Sequence, residues 1–276
     1  MKRDLEEERL RLTQQAHRAY LNERKRIRLH VRITQLTLLV LFFGLWEWAG
    51  RSGRIDTLLF SYPSKIIRLL SEMTGDGSLF PHIGMTVTET VIGFVLGTIM
   101  GTAVAVLLWW SPFAERVLDP FIVVLNSMPK VALGPLFIVG LGPGMLSIIG
   151  TTLAVNVIIT TLVIYASFRE VEPGYTKVVR LLGGSRSQEF RKVIFPAAYP
   201  AIVSTLKVNV GLSWIGVIVG EFLVSQKGLG YLIVYGFQVF NFTLVLGTLF
   251  LIAIVATFMY QAVAWAERKL VSTKQG

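Results

Sequence analysis

The chain contains no cysteine. That excludes disulfides, thiolate-bound metal sites and a cysteine nucleophile. Histidine is almost as scarce. His17, His30 and His82 are the three, and all lie outside the long apolar runs, so an intramembrane haem has no pair of ligands. No stretch reads G-x-x-x-x-G-K-[ST], so the loop that cradles nucleotide phosphates in many ATPases is missing. Charge is thin as well: 16% of the 276 residues are Asp, Glu, Lys or Arg, against about 25% in a soluble domain. The scarcer sign is negative, with 17 acids to 27 bases, and no apolar run holds a pair of acids. Nothing here marks a catalytic residue, a metal site or a cofactor site, and none is expected.

What is present is apolar side chain, 53% of the residues, with a mean hydropathy of +0.61. It is gathered into runs of roughly 18–25 residues, the length that crosses a bilayer core. No alternation of the β-barrel kind is visible, so the spans must be helices, which satisfy their own backbone polar groups. The expected fold class is an all-α integral membrane protein with six transmembrane helices. A net charge of +10 could suggest nucleic acid in a soluble protein. Here the bases cluster at the edges of the apolar runs, and the tendency of cytoplasmic loops to collect Lys and Arg is the better account. No nucleic-acid partner is expected.

In chain order, residues 1–32 hold ten of the 27 bases and read as a basic cytoplasmic segment, either a helix near anionic headgroups or a solvated tail. The charged stretch is too long for a signal peptide, and no small-residue cleavage site follows. Residues 33–50 form the first span, with Trp46 and Trp48 as interface anchors and Glu47 hydrated beside them. Residues 51–83 form an external loop with a short amphipathic helix from Lys65 to Met73. The further spans are expected at 84–110, 118–141, 145–168, 201–222 and 243–265. Residues 111–116 form an inner turn, 225–242 an outer segment and 267–276 a cytoplasmic tail. Both termini then face the cytoplasm.

Three features stand out within the spans. Gly93, Gly97, Gly101 and Ala105 recur every four residues, a spacing that lets another helix approach closely. Pro129, Gly134 and Pro135 interrupt the third span and should kink it. Asn126, Ser127 and Lys130 lie mid-span there, with Ser213 and Trp214 mid-span in the fifth. Polar groups at that depth are costly, so these five are the candidate translocation pathway. Lys130 either faces a cavity or snorkels.

The most informative stretch is polar and basic, residues 169–200 between two apolar runs. It reads as helix, break, helix, stop. Gly183 and Gly184 can end a first short helix. Ser185 can cap a second, with Gln188 completing a capping box. Phe190, Val193 and Ile194 give that helix an apolar face while Arg186, Arg191 and Lys192 stay wet. Pro196 ends it or starts the next.

Lys177-Val178-Val179, then Gly183 after three residues, then Val193-Ile194-Phe195-Pro196 after nine more resembles the EAA signature of ABC importer permeases, EAA–x3–G–x9–I–x–L–P. The glycine and the proline match. Lys177 stands where the family often has Glu, and valines replace the alanines. LDPFIVVLNSMPKVALGPLFIVGLGPG and GEFLVSQKGLGYLI are similar to blocks of the sulfonate, taurine and nitrate branch, where Glu89 occupies a place commonly held by a basic residue. The resemblance implies that Lys177, Val178, Val179, Gly183, Gly184, Ser185, Arg186, Phe190, Val193, Phe195 and Pro196 form a loop that docks on a separate ATPase. It also implies a homodimer, two cytoplasmic ATP-binding subunits, an external solute-binding protein and a bacterial cytoplasmic membrane. The alternative is an ion-coupled secondary transporter, which would want carboxylates deep in the membrane. Glu47, Glu89 and Glu221 are the acids in or near spans, and at least two of them fall near an interface. A membrane enzyme ranks third.

Overall fold

The computed structural model describes the backbone of residues 2–272. Among them every regular element is a helix. The chain divides into two units, Met1–Lys65 and Ile66–Gly276.

The first unit is built on α1, Lys2–Arg51, one unbroken helix of 50 residues. No boundary appears at residue 32, because neither proline nor glycine stands before Gly44 to interrupt the helix. The part apolar enough to cross a membrane is Glu23–Arg51, which starts earlier than the expected 33. Most side chains of the basic segment 1–32, and residues 273–276 of the tail, lie outside the described residues. At the far end of α1, Glu47 is bonded as well as wet. It accepts from Arg51 Nε at 2.5 Å, from the Ser64 amide at 2.9 Å and from the Ser64 hydroxyl at 2.7 Å. Together with the Trp46 indole on the Phe60 carbonyl at 3.3 Å, this carboxylate folds residues 52–64 back onto the helix.

The second unit contains most of α2, Pro63–Gly75, and four long helices: α3, Leu79–Trp110; α6, Met145–Arg169; α9, Phe195–Val224; and α11, Phe242–Ser272. The glycine repeat of α3 meets a matching repeat on α6. A Cβ on Gly97 would lie 2.5 Å from Asn156 Cβ, and one on Gly101 would lie 2.5 Å from Thr160 Cβ, while Gly93 sits against Thr152. Residue numbers rise together on both helices, so α3 and α6 run parallel. On α9 they run the other way: Gly216 packs on Thr152 and Gly220 on Ile148.

Parallel neighbours require the chain between them to return across the layer. That return is α4, Pro112–Ser127, and α5, Gly134–Leu141, a pair bent by 102°. The prolines do more than kink the third span; they break it. Met128 and Pro129 are extended, and a 3-10 turn over Lys130–Leu133 leads into α5. Neither Pro129 nor Pro135 has an N–H to continue a ladder. Among the described residues five helices are long and apolar enough to span, and the bent pair, taken as one span, makes six. The expected turn at 111–116 is already helical. Ser111 caps α4, its hydroxyl accepting from the Ala114 amide at 3.1 Å, and Pro112 sits at the first position, which needs no N–H.

Residues 225–242 also depart from a simple outer loop. They contain α10, Leu229–Gln238, whose Leu229, Gly230, Leu232, Ile233 and Gly236 are buried. Leu229 and Leu232 join Leu79, Val210 and Trp214 in one apolar cluster. A second cluster, Ala105, Ile164, Phe168, Ile194 and Ala198, closes the other end of the bundle.

Candidate functional site

The polar stretch 169–200 folds as a compact loop. Its first helix, α7, runs Pro173–Leu181, with proline again at the first position. Gly183 takes φ +76°, the left-handed conformation that glycine enters without steric cost. Its amide bonds the Arg180 carbonyl at 3.0 Å, and the Gly184 amide bonds Val179 at 2.8 Å, so the last carbonyls of α7 are satisfied. Gly184 also packs on Val179, where a Cβ would come within 2.7 Å of the carbonyl oxygen. Ser185 then opens α8, Arg186–Glu189, through a capping box. The Ser185 amide donates to Gln188 Oε1 at 2.7 Å, and the Gln188 amide donates to Ser185 Oγ at 3.4 Å.

One contact here escaped the sequence reading. Arg180 grips Glu189 with two parallel bonds of 2.8 and 3.0 Å, across the glycine break. Glu189 is buried and Arg180 exposed. The fork geometry ties α7 to α8, and the carboxylate raises the guanidinium above its ordinary pKa. A basic residue before the glycines and an acidic one nine positions later was the available signal. Arg186 does not simply stay wet. It donates to the Trp109 carbonyl at 2.9 Å and lies over the Trp109 ring at 5.3 Å. Phe190 packs on Trp109, Phe168 and Phe195 with ring centroids 5.0, 5.7 and 6.0 Å apart.

The second helix does not stop at Pro196. A π-helical turn over Phe190–Ile194 carries it straight into α9. Proline fits because position 196 lies in the first turn of that helix. Lys177 and Val178 are exposed, and Val193 is half-buried. The outward side of α7 is apolar: Tyr175, Val178, Leu181 and Leu182 are 62%, 56%, 86% and 83% exposed.

The five pathway candidates do not share one place within a chain. Ser213 is fully buried, accepting from Asn156 at 2.7 Å and donating to the Asn209 carbonyl at 2.7 Å. Asn209 in turn donates to Thr98 at 2.8 Å and Thr160 at 2.9 Å. These residues form a polar layer joining α3, α6 and α9, and Ser213 is one of its bolts. Trp214 points the other way. Its indole N–H has no partner, and it lines a cleft of about 270 Å³ between α9 and α11 with Val210, Gly211, Ala256, Thr257 and Tyr260. Asn126 and Ser127 are exposed at the end of α4. The Lys130 ammonium donates to the Asn126 carbonyl at 2.8 Å, where a cation suits the negative end of α4. Lys207, left open by the sequence, pairs with Glu267 at 2.9 Å. Glu89 and Glu221 are buried inside the protein, 0% and 1% exposed.

Residues 93–272 match the family described as the binding-protein-dependent transport system inner membrane component. Over 85% of both chains it is 29% identical to a protein of Bacillus subtilis (strain 168) named as the aliphatic sulfonates transport permease SsuC. It is 27% identical to the nitrate import permease protein NrtB of Synechocystis sp. (strain ATCC 27184 / PCC 6803 / Kazusa) over 83% of each. It is 24% identical to the taurine transport system permease protein TauC of Escherichia coli (strain K12), over 84% of this chain and 86% of that one. Among solved structures, a methionine ABC transporter, MetNI, in inward facing conformations aligns with a TM-score of 0.60 at 22% identity, over 69% of this chain and 95% of that one. A bacterial ABC transporter that imports the acidic polysaccharide alginate aligns at 0.62 and 13% identity, over 87% and 95%. The match covers well over half of the chain, and with the six apolar spans it identifies the protein as a member of the binding-protein-dependent transport family, a membrane-spanning ABC importer permease.

Proposed function

We propose that this chain forms the translocation pathway as a homodimer, that two separate cytoplasmic subunits hydrolyse the ATP, and that an external binding protein delivers the solute. The observation that carries this reading is the exposed apolar side of α7. Leu181 and Leu182 stand more than four-fifths exposed on a loop otherwise held by a capping box, the Arg180–Glu189 ion pair and an aromatic cluster. A rigid loop that presents leucine outward is built to be covered. Lys177, Val178, Val179, Gly183, Gly184, Ser185, Arg186, Phe190, Val193, Phe195 and Pro196 shape or line that loop. ATP closes the two ATPase subunits, the loops move with them, and the spans alternate between inward-open and outward-open states. Relatives named for sulfonates, nitrate and taurine support a small anion as the solute. Asn126, Ser127 and Lys130, which the bundle does not bury, and Trp214, at the wall of the cleft, remain the pathway candidates.

Leu182→Glu should leave the permease in the membrane at normal levels while the ATPase subunit no longer copurifies with it. Undiminished copurification would remove the loop from the interface. Orientation is checked on the same cysteine-free background. A single cysteine at Ser185 should react with membrane-impermeant maleimide only after cells are opened, and one at Gly75 or Lys227 should react in intact cells. The opposite pattern would invert the topology.

A further inference from the structure

At the end of the bundle opposite the loop, α3, α9 and α10 meet around two carboxyl groups, Glu89 and Glu221, both buried. Their surroundings are unequal. Glu221 has a donor for each oxygen: the Thr86 hydroxyl on Oε1 at 2.6 Å and the Gly230 amide on Oε2 at 2.5 Å. Glu89 has a donor on neither oxygen, and the charged group acting on it is Glu221. Two acceptors therefore face each other with nothing between them to share.

If both were ionised, the contact would hold an uncompensated charge beside a like charge. An unpaired ion in a dry interior costs several kcal/mol, and neighbouring carboxyls in one site do not both ionise readily. Among the described residues no cation is paired with either. On α3, His82 accepts the Gly228 amide at Nδ1, 3.1 Å away, and its ring stacks on Tyr231 of α10. Lys227, in the turn before α10, is exposed. On α10 the titratable side chains are Tyr231 and Tyr235. α6 carries no titratable side chain before Tyr165, which lies near its other end, and the first on α11 is Tyr260, in the Trp214 cleft.

We propose that Glu89 and Glu221 hold a single proton between them, carried on Glu89 and donated to Glu221, as a buried proton-binding site. The ligand is a proton; the site has one carboxylic acid and one carboxylate. The bond gives Glu89 one partner where it otherwise has none and gives Glu221 a third donor. It also anchors the turn at Gly228–Gly230, which hangs from the same carboxylate through Gly230 and from Thr86 through the Leu229 amide at 2.7 Å.

The test uses the full chain in its membrane complex. Infrared spectra at neutral pH should show the carbonyl band of a protonated carboxylic acid shielded from water, and the band should bleach as pH is raised. Glu89→Gln keeps the shape and the donor, so it should delete the band and preserve melting temperature. If that variant fails to assemble, Glu89→Asp should shift the band instead. A proton bound only in the folded state makes stability fall as pH rises through the site's titration. The wild-type melting temperature should therefore drop at alkaline pH, and that of Glu89→Gln should drop less. Absence of the band in wild type, or its persistence in Glu89→Gln, would overturn the proposal. So would an alkaline loss that disappears when choline is exchanged for sodium, since a metal cation would then be the occupant.

Discussion

Gly97→Ala should sharply lower the melting temperature of the permease, and Gly97→Val should abolish its folded form in the membrane. The added methyl of alanine would sit 2.5 Å from Asn156 Cβ, with Asn156 Cγ and Nδ2 at 3.3 Å. These are not the free ends of a long side chain that can swing aside. Asn156 is fully buried and held by Ser213. α3 must therefore move away from α6, and that stretches the bonds tying α3 into the same layer, Asn156 to the Gly93 carbonyl and Asn209 to Thr98. Overpacking typically costs about 1–3 kcal/mol, and here a severed polar layer is added to it. Gly84→Ala is the control. It lies on the same helix with nothing within 4 Å of the new methyl, and replacing a helical glycine there should stabilise by about 0.4–1 kcal/mol. Equal melting temperatures for Gly97→Ala and Gly84→Ala would show that the glycine repeat does not set the approach of α3 to α6.

Gly183→Val should separate folding from transport. Nothing lies within 4 Å of a Cβ at this position, so no side chain is displaced and the penalty is confined to the backbone. A β-branched residue held at φ +76° costs about 1–3 kcal/mol. The packing of the long helices is not touched, and membrane levels should match wild type. The loop is another matter. About 1.4 kcal/mol is a tenfold change in an equilibrium, enough to depopulate the one arrangement in which α7 presents its leucines. Uptake and ATPase copurification should both be lost. Gly183→Asn should retain most of both, because asparagine tolerates the left-handed region. Wild-type uptake by Gly183→Val would detach the loop from transport.

Much of this architecture could be read in advance because it rests on local signals. Apolar run length marked the spans, the four-residue glycine spacing marked the face that α6 covers, and Ser185 with Gln188 marked the start of α8. The failures have a common cause. Arg180 and Glu189 are joined across a break, Ser213 and Asn156 across two helices, and Thr86 and Glu221 across 135 residues. No periodicity encodes such pairings, so Ser213 reads as lining a path when its hydroxyl fastens α6 to α9. Within the outer segment 225–242, α10 has ten residues, too few for apolar run length to mark it. The buried face that makes it a helix appears only when α3, α9 and α11 are assembled around it.

The uninterrupted passage from α8 into α9 gives the loop two arms of different stiffness. On one side, α7 ends at a single left-handed glycine, a compliant joint. On the other, backbone hydrogen bonding continues through the π turn, so Arg186–Val224 is a rod of 39 residues, about 58 Å long at 1.5 Å per residue. Pro200 is a soft point near its base. Near its tip, Glu221 grips Thr86 and Gly230. Tilting such a lever by about 5° moves its far end by about 5 Å, more than a hydrogen bond can stretch. Displacement entering at α8 meets one soft point on the way, Pro200, and whatever passes it arrives at the carboxylate that fastens the opposite face.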